Sequence, residues 1–279
     1  MTTLQRTSEE WVATLRKNRI KPTRSMGQNF LTSTEVVEEI VAIAGVRPGD
    51  LVIEIGPGMG ILTRQLLTAG ARVVGVELDR ELAGLLRSEL GDIDDFTLIE
   101  RDARYLDTSG ITGGEPYQIV ANLPYSVATV IIRALMESAT PPTRMTVMVQ
   151  KEVAERMTAE PGDMSLLGLA TGLYADARIA MIVPPDVFLP PPKVESAVVV
   201  LDSRETLPGT DATRDRMFEL ATMAFQRKRK TISNGLAQGL GMPKAQLDAS
   251  LESIGIDAMR RPQTLSVDEW LLIAESLPK

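Results

Sequence analysis

Residues 51–60 read LVIEIGPGMG, an apolar run broken only by Glu54, followed by three glycines spaced by one residue each. An apolar run of this length, bounded by turn residues, reads as a strand buried on both faces of a parallel sheet. The next stretch, 61–69 (ILTRQLLTA), has helical periodicity and closes at Gly70, a residue suited to a left-handed cap. A second strand follows at 72–77 (RVVGVE), so the opening unit is strand, glycine turn, helix, strand.

The same alternation continues outward. Further strands are expected at 96–100 (FTLIE), 117–121 (YQIVA), 144–149 (RMTVMV), 177–183 (ARIAMIV) and 194–201 (VESAVVVL), seven in all. Helices are expected at 79–90, closed by Gly91 as a left-handed cap, and at 126–138 and 150–158. The last two strands are joined through PPDVFLPPP, too short and proline-rich for a helical crossover, so they should form an antiparallel hairpin at one end of the sheet. Ahead of the sheet, 8–18 and 34–44 read as helices, with Thr32 and Glu35 spaced as a capping box. Residues 202–212 (DSRETLPGTDA) look like a linker, and 213–276 carries helical periodicity only. The expected fold is a doubly wound, Rossmann-like α/β sheet over residues 1–202 with an N-terminal helical, basic extension. A small all-helical domain follows at 203–279.

Composition narrows the chemistry. Among 279 residues there is neither cysteine nor histidine, which removes disulfides, thiolate nucleophiles, Ser-His-Asp triads and nearly all zinc sites. No metal is therefore expected. A base, if one is needed, must be a carboxylate, lysine, tyrosine or water. No apolar run approaches the roughly 18 residues that span a bilayer, and the charged N-terminus lacks a signal-peptide segment, so a cytoplasmic protein with no membrane partner is expected. The net charge of −7 is uneven. Residues 1–30 and 214–230 each carry six basic and two acidic side chains, whereas 31–142 carries eight basic and seventeen acidic. Local fields, not the global sum, attract phosphate, so the two basic islands are candidate nucleic-acid contacts, with a solvated helix face as the competing reading.

Glycines directly after the first strand, Gly56 and Gly58 among them, let the backbone turn sharply and approach a ligand without a Cβ in the way. Glu77, ending the second strand, stands where an acid reaches a ribose and accepts from its hydroxyls. A nucleoside cofactor is implied. The G-x-G-x-G spacing with an acid two residues ahead resembles the first motif of class I S-adenosylmethionine methyltransferases, where no phosphate needs cradling. An NAD site, usually spaced G-x-G-x-x-G, is the competing reading. Asp102, after the third strand, is placed to receive an adenine amino group, or else is an ordinary helix N-cap.

After the fourth strand comes Asn122-Leu123-Pro124-Tyr125, at the strand ends that face the ligand crevice. Its chemistry suits the exocyclic N6 of adenine, a poor nucleophile whose lone pair is delocalised into the ring. The Asn122 side-chain oxygen and the carbonyl of Leu123, just ahead of the rigid Pro124, can each accept one N6 hydrogen and aim the lone pair at a sulfonium methyl. Tyr125 offers a stacking face for an extruded base, worth about 1–3 kcal/mol. Phe188, beside the prolines of FLPPPKVES, is a candidate for the opposite face, with a core position as the alternative.

Taken together, Ser25-Met26-Gly27-Gln28-Asn29-Phe30-Leu31, the loop from Glu54, NLPY at 122–125, FLPPPKVESAV at 188–198 and AFQRKRKTISNGL at 224–236 resemble the bacterial KsgA/RsmA family of small-subunit rRNA adenine N6,N6-dimethyltransferases. The resemblance runs from about residue 20 to about 265. It implies S-adenosylmethionine as methyl donor and dimethylation of two adjacent adenines in the 3′-terminal hairpin loop of 16S rRNA, late in ribosome biogenesis. It further implies donor contacts from Asn29, Leu31, Gly56, Glu77, Asp102 and Asn122, and an rRNA-facing helical domain that includes Arg227, Lys228, Arg229 and Lys230. The immature small subunit is the expected partner, and a monomer the expected state. Ser25-Met26 stands where a basic residue and a larger hydrophobe are usual, and Ser126 replaces a common Asn.

Three other readings compete. The Erm-type large-subunit enzymes share fold and reaction, but tend to carry Ile between the Asn and Pro and lack the R-K-R-K-T-x-x-N-x-L run. An assembly factor with secondary methylation would look the same in sequence. An NAD-dependent oxidoreductase would share the sheet.

Overall fold

The computed structural model describes residues 7–18, 20, 22 and 27–277. Ser25 and Met26, and four of the N-terminal cations (Arg6, Arg19, Lys21 and Arg24), lie outside them. The chain forms two compact units, Met1–Ala154 with Asp176–Ser203, and Glu155–Ala175 with Arg204–Lys279.

In the first unit, β2 (Leu51–Ile55), β3 (Arg72–Glu77), β4 (Phe96–Glu100), β5 (Tyr117–Asn122), β6 (Arg144–Gln150), β7 (Ala175–Val183) and β9 (Ser196–Ser203) make a seven-stranded sheet in the order β4-β3-β2-β5-β6-β9-β7. The neighbours from β4 to β6 run parallel, and β9 lies antiparallel to β6, from Gln150 opposite Ser196 to Arg144 opposite Asp202. All seven expected strands are present, and the final pair stands together at one end with β9 on the inside. The strand order reverses between β2 and β5, where open α/β sheets place their ligand crevice.

The helices of this unit are α1 (Ser8–Lys17), α2 (Thr34–Ala44), α3 (Ile61–Thr68), α4 (Arg80–Leu90), α5 (Thr108–Thr112), α6 (Ala128–Met136) and α7 (Lys151–Met157), the last ending beyond it. Leu66 of α3 and Leu82 and Leu86 of α4 join Val52 and Val73 of the sheet in one buried core. Each such side chain contributes about 1.5–3 kcal/mol by leaving water.

Two local expectations are corrected. The N-cap of α2 is Ser33, whose hydroxyl accepts from the Val36 N–H at 3.3 Å and donates to Glu35 at 2.7 Å. Thr32 instead sends both its N–H and its hydroxyl to the Val187 carbonyl, at 2.9 and 3.0 Å. The reason is strand pairing: β1 (Phe30–Leu31) runs antiparallel to β8 (Phe188–Leu189), and Thr32 extends that ladder. A two-residue pair between distant segments has no periodicity to betray it. Gly91 is not left-handed (φ −62°); a Cβ there would run into the carbonyl of Arg87, so glycine answers to crowding. Gly70 does adopt the left-handed conformation (φ +85°), pressed against Pro48.

The second unit holds α8 (Leu166–Tyr174), α9 (Asp211–Phe225), α10 (Ile232–Leu240), α11 (Lys244–Ser253) and α12 (Val267–Ser276). Its core gathers Leu169, Leu173, Met217, Leu220, Ile232, Leu247, Leu251, Trp270 and Ile273. The single boundary expected at 202/203 is replaced by three crossings of the chain, because 155–175 belongs here. Helix α8, LLGLATGLY, is apolar on most sides and must be enclosed, and it packs against α9 and α12. No helix among the described residues is long and apolar enough to cross a membrane.

Candidate active site

A cavity of about 350 Å³ opens in the first unit, at the carboxyl ends of β2, β3, β4 and β5. Its walls bring together Asn29, Gly56, Gly58, Glu77, Asp102 and the Asn122-Leu123-Pro124-Tyr125 turn, residues scattered over almost a hundred positions of sequence.

The glycine loop forms one wall. Gly56 and Gly58 have φ of +67° and +61°, and the Gly56 N–H donates to the Val76 carbonyl at 2.9 Å, tying the turn to β3. A Cβ on Gly58 would press on the Phe30 ring at 3.4 Å, so the bare backbone lets the 27–31 segment close in.

Glu77 is 6% exposed and held by main-chain donors: Gly58 N–H to Oε2 at 3.0 Å, and Leu78 and Asp79 N–H to Oε1 at 2.9 Å each. Burial pushes its carboxyl above the usual range, and those three N–H groups pull the other way. About four acceptor directions exist on a carboxylate, so the three N–H donors leave one direction for a further donor.

Glu54, the acid of the loop motif, stands behind the wall. It is 1% exposed and accepts from the Thr63 hydroxyl at 2.6 Å, bracing β2 against α3. Burial, with Glu77 adding repulsion, moves its carboxyl up to about 8, so it is largely neutral at pH 7.

Asp102 adopts the N-cap role, and it also stands in the cavity wall. It caps the turn at Ala103–Tyr105, with Oδ1 accepting from the Arg104 N–H at 3.0 Å. The Arg104 guanidinium grips it too, Nη2 to Oδ2 at 2.6 Å, and holds its carboxyl below the usual range.

Asn122 ends β5 with its Nδ2 donating to the main-chain carbonyl of Asn29 at 3.3 Å. That bond fixes the amide's sense, nitrogen toward Asn29 and oxygen on the opposite branch. The Leu123 N–H donates to Met148 at 3.2 Å, and the Pro124 carbonyl accepts from Val127 and Ala128 at 3.1 and 3.0 Å, which anchors the turn at both ends. The Tyr125 hydroxyl pairs with the buried Ser196 hydroxyl at 2.5 Å, while burial raises the phenol's pKa.

Leu31 and Phe188 do not line the cavity. They face each other in the β1–β8 pair and are 2% and 3% exposed within the core. For Phe188 the core alternative is therefore what the structure adopts: pairing with β1 turns its ring inward. Gln28 and Asp79, which sequence reasoning did not single out, share the wall, and Gln28 Nε2 donates to Asp79 Oδ2 at 3.0 Å. Asp79 also caps α4, and an N-cap signal alone does not announce a cavity position.

In the second unit, Arg227, Lys228, Arg229 and Lys230 are all exposed on the turn between α9 and α10. The same motif buries Ile232 and Leu236 in the helical core.

The ribosomal RNA adenine dimethylase family model matches residues 19–279. The chain is 40% identical over 252 residues to ribosomal RNA small subunit methyltransferase A of Dehalococcoides mccartyi strain CBDB1, covering 90% of this chain and 87% of the relative. It is 41% identical over 269 residues to the protein of the same name from Clostridium perfringens strain SM101, covering 95% and 94%. Among solved structures, the 23S rRNA methyltransferase ErmE superposes with a TM-score of 0.71 at 26% identity, over 89% of this chain and 99% of that one. A dimethyladenosine transferase from Plasmodium falciparum, at 24% identity and TM-score 0.74 over 88% and 95%, shares the fold. On the extent of these matches, the chain belongs to the ribosomal RNA adenine dimethylase family.

Proposed function

We propose that this enzyme uses S-adenosylmethionine to dimethylate N6 of two adjacent adenines in the 3′-terminal hairpin loop of small-subunit rRNA, acting in the cytoplasm on the immature subunit as a monomer. The observation that carries the reading is the Asn122–Asn29 bond, which orients a carboxamide oxygen in a cavity also lined by Gly56, Gly58 and Glu77. The cavity fits the donor: positive-φ glycines leave room for a ligand where side chains would intrude, and Glu77 supplies a fixed carboxylate for its ribose. Asp102 supports the adenine end.

When bound, the donor supplies an electrophilic methyl on a sulfonium. Asn122 Oδ1 and the Leu123 carbonyl accept the hydrogens of the target N6, and Tyr125 stacks on the base. Orientation then carries most of the rate, because two groups held in line react as one molecule. The proton on the alkylated nitrogen is acidic enough for water to remove, which suits a chain without histidine. Arg227, Lys228, Arg229 and Lys230 supply charge for rRNA phosphates from the helical unit.

The test is mass spectrometry of ribosomal RNA from cells lacking this gene, complemented by the wild-type chain or by Asn122→Ala. Adjacent dimethyladenosines should vanish from the small-subunit 3′ hairpin and return only with the wild type. Their persistence in the deletion strain, or a loss confined to large-subunit RNA, overturns the assignment.

A further inference from the structure

Ser196 opens β9 and is fully buried, opposite Gln150 of β6. A hydroxyl buried in a sheet needs a hydrogen-bond partner, and this one meets the phenol of Tyr125 at 2.5 Å. Tyr125 follows β5 by three residues, and the sheet order places β6 between β5 and β9. The Tyr125 side chain therefore reaches from the turn after β5 to the start of β9, tied at its Cα to one and at its hydroxyl to the other. A ring attached at both ends loses the swing about χ1 that would carry it across the cavity, a motion that a ring attached only at Cα retains. Stacking needs only a face, which phenylalanine would offer equally. A fixed position needs the hydroxyl and its partner.

We propose that Ser196 is a positioning residue for methyl transfer: its hydroxyl holds the Tyr125 ring in the place that presents the target adenine to the donor. This inference rests on the reading of Tyr125 as the stacking face. Ser196 touches neither substrate nor donor; it acts through the phenol. Its backbone is already held by the β6–β9 ladder, from Ser196 opposite Gln150 onward, so loss of the side-chain hydroxyl leaves the register in place. The expected defect is in the chemical step, with donor binding spared.

The experiment measures single-turnover methyl transfer to undermethylated small-subunit particles at saturating donor and particle. Variants are Tyr125→Ala, Tyr125→Phe, Ser196→Ala and the Tyr125→Phe/Ser196→Ala pair, with donor affinity and melting temperature recorded for each. Tyr125→Phe and Ser196→Ala should each slow transfer roughly three- to tenfold, the loss expected for one hydrogen bond, and the pair should be no slower than either alone. Donor affinity should stay at the wild-type value. If Tyr125→Ala slows transfer while Tyr125→Phe runs at the wild-type rate, the positioning role is overturned and the stacking reading survives. Additive losses in the pair also overturn it, because the two hydroxyls would then act separately. If Tyr125→Ala itself transfers normally, the stacking reading fails and takes this inference with it. Should Ser196→Ala not fold, Tyr125→Phe alone decides.

Discussion

Asn122 and Asn29, ninety-three residues apart, are joined by one hydrogen bond, from the side-chain amide of the first to the main-chain carbonyl of the second at 3.3 Å. The bond ties the segment at 27–30 to the turn at 122–125 in one cavity wall. Because the acceptor is backbone, the orienting contact depends on where β1 holds the chain, not on which side chain stands at 29.

Asn122→Ala should therefore lower the rate of methyl transfer about 100- to 1,000-fold, the cost of removing one preorganised polar group from a transition state. Donor affinity should change far less. Asn122→Asp should be equally poor, since a carboxylate oxygen would face the Asn29 carbonyl. Transfer kinetics on small-subunit particles, with donor titration alongside, check both. A rate near wild type in either variant would refute the assigned role.

Glu77→Gln keeps the size of the side chain but sets an amide nitrogen among the N–H groups of Gly58, Leu78 and Asp79. Its affinity for S-adenosylhomocysteine should drop roughly 10- to 100-fold, by the usual worth of a hydrogen bond to a charged group. Calorimetric titration decides this, and an unchanged dissociation constant would contradict a ribose contact.

Glu54 should leave a signature in stability against pH. Its carboxyl titrates at about 8 when folded and near 4.5 otherwise. Between those values the folded protein holds a proton that the unfolded chain has released, so its contribution to stability falls as pH rises and levels off above about 8. The steepest slope for one such proton is about 1.4 kcal/mol per pH unit. Glu54→Gln cannot ionise and can still accept from Thr63 through its amide oxygen. Urea unfolding of both proteins from pH 5 to 8 should show the wild type losing ground to the variant. Parallel curves would mean that Glu54 is ionised in its buried place.

Reversing the charges of Arg227, Lys228, Arg229 and Lys230 to glutamate should weaken binding to small-subunit particles and flatten its dependence on salt. Each lost phosphate contact removes roughly 0.7–0.9 from the slope of log affinity against log salt. A slope equal to wild type would make this cluster a solvated turn. The melting temperature should hardly move, because all four side chains are exposed.

Much of this molecule was legible in its residues. The seven strands of the main sheet announced themselves through apolar runs between turn signals, and Gly56, Gly58, Glu77, Asp102 and the turn at 122–125, singled out by residue type and position, are brought by the fold to one cavity. Those signals are local: a strand buried on both faces must be apolar, and a turn that approaches a ligand must shed its Cβ. The lone proline-rich connection at 184–192 even foretold the reversed strand, since no crossover helix fits there.

What only the folded chain decided are the contacts between distant segments. The β1–β8 pair has two residues on each side, too few to carry a period, yet it drew Thr32 out of its expected cap and turned Phe188 into the core. Helix α8 sits between strands in sequence but belongs to the helical unit, because its apolar surface is satisfied by α9 and α12. Glu54 and Glu77 look alike as letters, and the tertiary structure separated them: one is buried behind the wall and made neutral by desolvation, the other is held at the wall by three backbone N–H groups. Residue type and spacing set which chemistry is possible; burial and partners, which depend on what the fold brings within a few ångströms, set which residue performs it.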